Sequence, residues 1–183
     1  MSDWSLITDH HDAYYIEANL GDAVGDNARR IPAIIGAAGL IAAKDKREGD
    51  MATPVGRWAL RHLFYRRDLL GPLSYAIPTS EITQQSGWCD DPESPDYNRY
   101  LQLPSAAHHE NLWRSDGAYD LVVMLGFNDA PPVAGHGSAI FLHAIAPGKT
   151  STEGCVAVAR DDLRWLLARA KADQYLLIGD NLL

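Results

Sequence analysis

The chain has 183 residues, a hydrophobic fraction of 46%, a charged fraction of 22% and a formal net charge of −8 at pH 7. That length suits one domain able to bury its own core without disulfide or metal staples. The acidic balance, with no dense Lys/Arg block, excludes a non-specific nucleic-acid binder, because phosphate neutralisation needs a basic surface.

The longest apolar stretch, residues 31–43, is too short to span a bilayer and is broken by Pro32, Gly36 and Gly39. The first eighteen residues show neither a basic n-region nor an apolar h-region, so no secretory signal is read and a cytoplasmic location stays open. Two cysteines, Cys89 and Cys155, allow one disulfide at most.

Short strands are predicted over 13–18 and 31–36, with 37–45 as a hairpin partner of the latter. Turn chemistry at Gly49-Asp50 and Thr53-Pro54 leads into a strand over 57–65. Residues 83–117 are polar and carry three prolines, too long for a bland connection and suited to a lid or substrate wall. Buried strands are predicted over 119–128 and 138–146. Alternation in the latter puts Ala139, Phe141 and His143 on one face and Ile140 and Leu142 on the other.

The end of the chain is helical. Asp161 is the expected N-cap, Leu163, Leu166, Leu167 and Ala170 form the apolar stripe, and Arg169 and Lys171 sit in the expected last turn. A final strand over 175–179 completes a mainly β, barrel- or sandwich-like fold. It is expected to be a single domain over 1–183, with one C-terminal helix and a long segment, 79–116, over the cleft.

Chemistry concentrates in residues 136–162. A cysteine attacks a carbonyl carbon only as thiolate, and a free thiol at neutral pH is mostly protonated. His143 is the candidate base, because imidazole titrates near working pH. Gly154 lets substrate approach the backbone, the amides of Gly154 and Cys155 are candidate oxyanion donors, and Thr152 is a candidate partner of the imidazole or the substrate. The competing reading is a small buried thiol and a histidine satisfied by a carbonyl.

Other constellations are weaker. Cys155 to Arg160 is one residue short of a phosphatase loop. His10-His11, His108-His109 and His136 offer zinc ligands without a zinc motif, and His136 reads as a loop residue. Glu153, Asp90, Asp91 and Asp96 read as solvated carboxylates rather than a glycosidase pair. Arg57, Arg99 and Arg114 are candidate clamps for a substrate carboxylate. Trp88, Tyr97 and Trp113 are candidate cleft walls or core.

The stretch GSAIFLHAIAPGKTSTEGC, residues 137–155, resembles the catalytic signature of the YkuD-type L,D-transpeptidases, in which a strand histidine precedes a Ser/Thr-x-Gly-Cys turn. KREGDMATPVGRWAL, residues 46–60, is similar to the family's upstream segment with its Thr-Pro-x-Gly. The resemblance runs from Ile31 to about Leu167. It implies that Cys155 is the acylated nucleophile and His143 its base, with Thr152 and Gly154 in the turn. The implied substrates are peptidoglycan stem peptides, with no metal or cofactor, and the implied location is the periplasm.

The chain departs from the family pattern at two places. Glu153 stands where many members have histidine, and Val156-Ala157 where many have Ile-Arg. The expected substrate contacts are Arg114, Arg99, Trp113, Tyr97 and Glu153. The pattern is that of a divergent branch, and 1,3-type cross-links, 3,3-type cross-links and hydrolysis by a carboxypeptidase or endopeptidase all remain open. So does an inactive binding domain of the same fold.

Overall fold

Alternating apolar residues and β-branched runs order most of the chain into short strands. The computed structural model describes residues 3–8, 13–19 and 28–179. In chain order the strands are β1 (Trp4–Thr8), β2 (Tyr14–Asn19), β3 (Ala28–Ile34), β4 (Leu40–Ala42), β5 (Thr53–Tyr65), β6 (Thr79–Glu81) and β7 (Ser86–Cys89). They continue as β8 (Tyr100–Gln102), β9 (His109–Asn111), β10 (Leu121–Leu125), β11 (Phe141–Ala144), β12 (Val156–Val158) and β13 (Tyr175–Ile178). Helix α1 is a single turn, Arg67–Leu70, and α2 spans Arg160–Leu167.

Strand pairing runs β10-β11-β12-β3-β2-β1-β13-β5, and β5 pairs again with β10. That last pairing closes the ring into a barrel and removes the free edges an open sheet would leave. Strands β4 and β6 flank β5, both parallel to it. A separate sheet, β8-β7-β9, forms within the long polar segment.

Two apolar clusters follow from strand alternation. On β10, Leu121, Val123 and Leu125 enter the main core while Val122 enters the second; on β11, Leu142 enters the main core and Phe141 the second. The second cluster, with Trp88, Leu112, Tyr119 and Cys155, packs the small sheet on the barrel. Leu142 is fully buried, and truncating such a side chain to alanine costs about 2–5 kcal/mol.

Several expectations need correction. Residues 37–45 do not fold back on β3. Leu40–Ala42 pairs in parallel with Thr53–Val55, because the Ala38 amide bonds the Met51 carbonyl and directs the chain toward β5. Thr53-Pro54 begins β5 instead of making a turn. The segment 83–117 is no plain loop but carries three paired strands.

The N-cap of α2 is Ala159, with no side-chain cap bond. Asp161 and Asp162 stand in the first turn, where they still favour the positive dipole end. The helix ends at Leu167, so Arg169 and Lys171 lie beyond it. The predicted strand over 138–146 is regular only at 141–144, because Ala139 stands at φ 52°. Strand β1 went unread in the sequence.

Candidate active site

The turn before β12 carries Cys155, and β11 carries His143. The two strands run parallel, with His143 opposite Ala157. Both side chains line one cavity of about 550 Å³, which Thr152, Glu153, Lys46 and Glu110 also line.

His143 is buried, and its Nδ1 lies 2.8 Å from the Ala144 carbonyl oxygen. A carbonyl only accepts, so Nδ1 carries the hydrogen and Nε2 keeps its lone pair, the tautomer a base requires. The Tyr119 ring meets the imidazole edge-on with centroids 5.2 Å apart. Burial lowers the His143 pKa to about 4, with the nearby Arg114 cation adding to the effect and the Ala144 hydrogen bond opposing it.

The Cys155 thiol donates to the Ala139 carbonyl at 3.1 Å and receives the Phe141 amide at 3.4 Å. Burial pushes its pKa up to about 12, and the Glu110 carboxylate pushes the same way; the Phe141 amide and Lys46 oppose them. The resting pair is therefore neutral thiol and neutral imidazole.

The turn is held by side chains. Thr152 Oγ1 donates to the Cys155 carbonyl at 2.7 Å and accepts the Gly154 amide at 3.2 Å. Its hydroxyl is thus spent on the turn and does not serve the imidazole, and the Gly154 amide is not free for an oxyanion. Of the two expected donors, the Cys155 amide remains. Thr53 Oγ1 donates to the Gly154 carbonyl at 2.8 Å while accepting the Gly36 amide at 2.9 Å. Gly154 stands at φ 136°, and a methyl group there would come within 3.0 Å of the Ala52 carbonyl oxygen, so glycine is required.

A polar network forms another cavity wall. The Tyr119 hydroxyl donates to Glu110 Oε1 at 2.5 Å, and Arg114 Nη1 lies 3.6 Å from the same oxygen. Arg114 also grips Asp116 through Nε at 3.0 Å and Nη2 at 2.5 Å. Asp116 is held down to about 2 by that guanidinium. Burial pushes Glu110 above the usual carboxylate range, against the Tyr119 hydrogen bond and the Arg114 charge.

Of the expected substrate contacts, Arg114 and Glu153 line the cavity, and Arg99, Trp113 and Tyr97 do not. Arg99 is exposed. The Trp113 ring packs under the Arg66 guanidinium at 3.6 Å. Tyr97 is buried and donates to Glu48, which itself lines the cavity. Trp88 is core, its Nε1 bonded to Asn98 Oδ1 at 3.0 Å. Arg57 pairs with Asp3 at 2.7 Å and lies off the cavity. Arg160 pairs with Asp120 at 3.0 Å, also off it.

Asp90 lines the cavity and accepts from His108 at 2.5 Å, and Asp91 bonds the backbone of its own loop. Among the described residues no three His, Cys, Asp or Glu side chains gather as a metal site. His10 and His11 lie outside the described residues. Both cysteines are free, and Cys89 is fully buried in β7, so it cannot reach another chain.

Lys46, Glu48, Glu110 and Asn98 were missed. Lys46 reads in sequence as one charge among several in KDKREGD, yet it is almost wholly buried, bonded to Asp50 and to the Arg47 carbonyl. Its spacing of four residues from Asp50 was the available signal.

The L,D-transpeptidase catalytic domain, YkuD, matches residues 13–178, and the chain belongs to that family. The family acts on peptidoglycan. Among solved structures the chain is similar to Bdellovibrio bacteriovorus Bd1075, at 16% identity and a TM-score of 0.46, over 98% of this chain and 48% of that one. It is also similar to L,D-transpeptidase 1 of Mycobacterium tuberculosis, at 10% identity and a TM-score of 0.40, over 96% of this chain and 60% of that one. An L,D-transpeptidase from Mycobacterium smegmatis gives 11% identity and a TM-score of 0.40, over 96% of this chain and 57% of that one. The chain spans less than two thirds of each of these proteins. No curated protein matches the sequence.

Proposed function

We propose that this chain is a cysteine-dependent L,D-transpeptidase that cross-links peptidoglycan stems through a thioester, residues 1–183 acting as one catalytic unit outside the cytoplasm. One observation carries the reading: His143, with Nδ1 tied to a carbonyl and Nε2 left with its lone pair, lines the same cavity as Cys155.

Because both groups rest neutral, proton transfer accompanies attack instead of preceding it. As Sγ bonds the amide carbonyl carbon next to the D-residue, its proton passes to Nε2. The carbonyl oxygen becomes an oxyanion facing the Cys155 amide. Collapse breaks the C–N bond, and the imidazolium gives its proton to the departing amine. An acceptor amine then attacks the thioester, His143 takes its extra proton, and sulfur leaves to recover that proton. With an amine acceptor the product is a cross-link, 1,3- or 3,3-type according to the donor; with water it is a shortened stem.

A second reading is a murein-binding domain with an inert thiol. The raised thiol pKa and the hydrogen bond to Ala139 favour it. Intact-mass measurement after incubation with a carbapenem separates the two. Catalysis predicts one adduct, lost in Cys155→Ala; no adduct on the wild-type chain leaves the binding domain. Incubation with a tetrapeptide stem and a free amine, with products weighed, then separates transfer from hydrolysis.

A further inference from the structure

Of the charged groups that line the cavity, three act on the Cys155 thiol, and they come from separate parts of the fold. Glu110 comes from β9, Glu153 from the residues just before the cysteine, and Lys46 from the segment that follows the 3-10 turn Ala43–Asp45. Tyr119, neutral and hydrogen-bonded to Glu110, lines the cavity too, as do the side chains of Glu48, Asp90, His108, His109, Arg114, Asp116 and Lys149. Two of the three charges are negative and oppose a thiolate. Lys46 alone among them favours one.

The lysine is built in. Its side chain is 3% exposed. It passes against two glycines: a methyl group on Gly137 would lie 3.0 Å from Lys46 Cγ and 3.2 Å from Cε, and one on Gly154 would lie 3.6 Å from Nζ. Both positions hold positive φ, at 96° and 136°, so glycine serves both the backbone and the passage of the chain. Asp50 anchors the ammonium, which also donates to the Arg47 carbonyl at 3.1 Å. Asp50 is fixed in turn by the amides of Arg47 at 2.7 Å and Ala52 at 2.9 Å. A buried ammonium is expensive unless paired. Here the pair is placed against the residue that precedes the sulfur, with two of the three ammonium donors used.

We infer that Lys46 is a positioning residue for the reaction: its buried ammonium, clamped by Asp50 and threaded between Gly137 and Gly154, offsets the negative charge that develops on Cys155 and its acyl intermediate. It acts through the field at the Gly154-Cys155 turn and takes no proton in the reaction. The direction of its influence on the thiol agrees with that placement. The purpose of the device rests on the acyl-transfer reading, but its test is read from the thiol itself.

The experiment is the pH profile of Cys155 alkylation by iodoacetamide, followed by mass of the Cys155 peptide so that Cys89 does not contribute, in wild type, Lys46→Met, Lys46→Arg and Asp50→Asn. Methionine keeps the volume and removes the charge. An opposite charge at close range moves a pKa by about 1–3 units, so Lys46→Met is expected to move the profile up by about one pH unit, a roughly tenfold loss of thiolate at fixed pH. Lys46→Arg should restore most of that loss. Asp50→Asn, which leaves the ammonium uncompensated, should move the profile down. A merely structural role would displace Lys46→Met and Asp50→Asn the same way, or neither, and either result overturns the inference. Thermal melts of the same samples identify a variant that fails to fold, and wild type against Asp50→Asn then decides the sign. Carbapenem adduct formation is scored separately: an unmoved profile with wild-type acylation sinks the role of Lys46 alone, and absent acylation sinks the transpeptidase reading alone.

Discussion

The Cys155 thiol donates a hydrogen bond to the Ala139 carbonyl at 3.1 Å, and Ala139 offers that carbonyl from a left-handed backbone at φ 52°. The chain bends out of strand geometry there, at a cost of about 1 kcal/mol for a non-glycine residue, and the bend places an acceptor where the sulfur needs a partner. The protonated thiol is thus the form this site holds. Alkylation of Cys155 should be slower at pH 7 than that of a free thiol and should climb about tenfold per pH unit past pH 9. A rate already level between pH 6 and 8 would show a preformed thiolate and contradict this account.

His143 makes stability depend on acid. Burial holds its pKa at about 4, below its ordinary 6.5. Below pH 6.5 the unfolded chain takes up a proton that the folded chain refuses, so stability falls as pH drops from 6.5 toward 4, by about 3 kcal/mol in all. Cys155 acts at the other end. Between 9 and about 12 the unfolded thiol loses its proton while the folded one keeps it, so stability falls as pH rises. Urea melts at pH 7, 5.5 and 4.5 on wild type and His143→Gln check the acid limb; the variant should lose most of that slope.

Residue chemistry and alternation marked two side chains that the fold brings to one cavity. Cys155 and His143 stood out because few side chains do nucleophile and base work, and a period of two put Phe141 opposite Leu142, as the two clusters show. Pairing partners were a different matter. Periodicity names a face but not a neighbour, so nothing local says that Trp4 lies beside Leu176, or that Leu40 runs parallel to Thr53. Lys46 is one charge among several in the sequence because burial of a charge depends on a carboxylate that only the folded turn supplies. Arg99, Trp113 and Tyr97 were placed in the cleft by their neighbourhood in the chain, yet the small sheet turns them elsewhere. Trp113 packs under Arg66, and Tyr97 reaches the cavity only through Glu48.

Asn98 ties that small sheet to the thiol. Its Oδ1 accepts Trp88 Nε1 and the Ala139 amide, each at 3.0 Å, and its Nδ2 donates to the carbonyls of Phe127 at 3.1 Å and Asn128 at 2.8 Å. It is buried at φ 56°, a backbone that asparagine tolerates better than most residues. Asn98→Ala strands these partners and should cost about 3–5 kcal/mol. Asn98→Asp keeps both accepted bonds but sets a carboxylate oxygen against two carbonyls, so at pH 7 it should be no better. Chemical denaturation measures both; a loss below about 1 kcal/mol would show the hub to be dispensable.

Thr53 links the upstream segment to the cysteine turn through one fully buried hydroxyl. Valine has the same shape without the hydroxyl. Thr53→Val leaves the Gly36 amide and the Gly154 carbonyl without this partner and should cost about 2–4 kcal/mol. Thr53→Ser keeps both bonds and should lose only about 1 kcal/mol for its missing methyl. Adduct formation by a carbapenem, measured on folded samples, should fall in the valine variant and survive in the serine one. Equal rates in the two would mean that the hydroxyl stabilises the turn without aligning the sulfur.

Glu110 works against the thiolate, and its removal should show it. The carboxylate sits in a desolvated wall, held by the Tyr119 hydroxyl with Arg114 beyond, and it raises the Cys155 pKa. Glutamine keeps an oxygen for Tyr119 and removes the charge. In Glu110→Gln the alkylation profile of Cys155 should shift to lower pH, with a gain of about threefold to tenfold at pH 8, the size of a half to one unit. The gain must vanish in acid. Below its own pKa, which burial raises, wild-type Glu110 is already neutral, so the two profiles should merge as pH falls. Profiles that stay apart there would mean that the substitution acts by loosening the wall rather than by removing a charge.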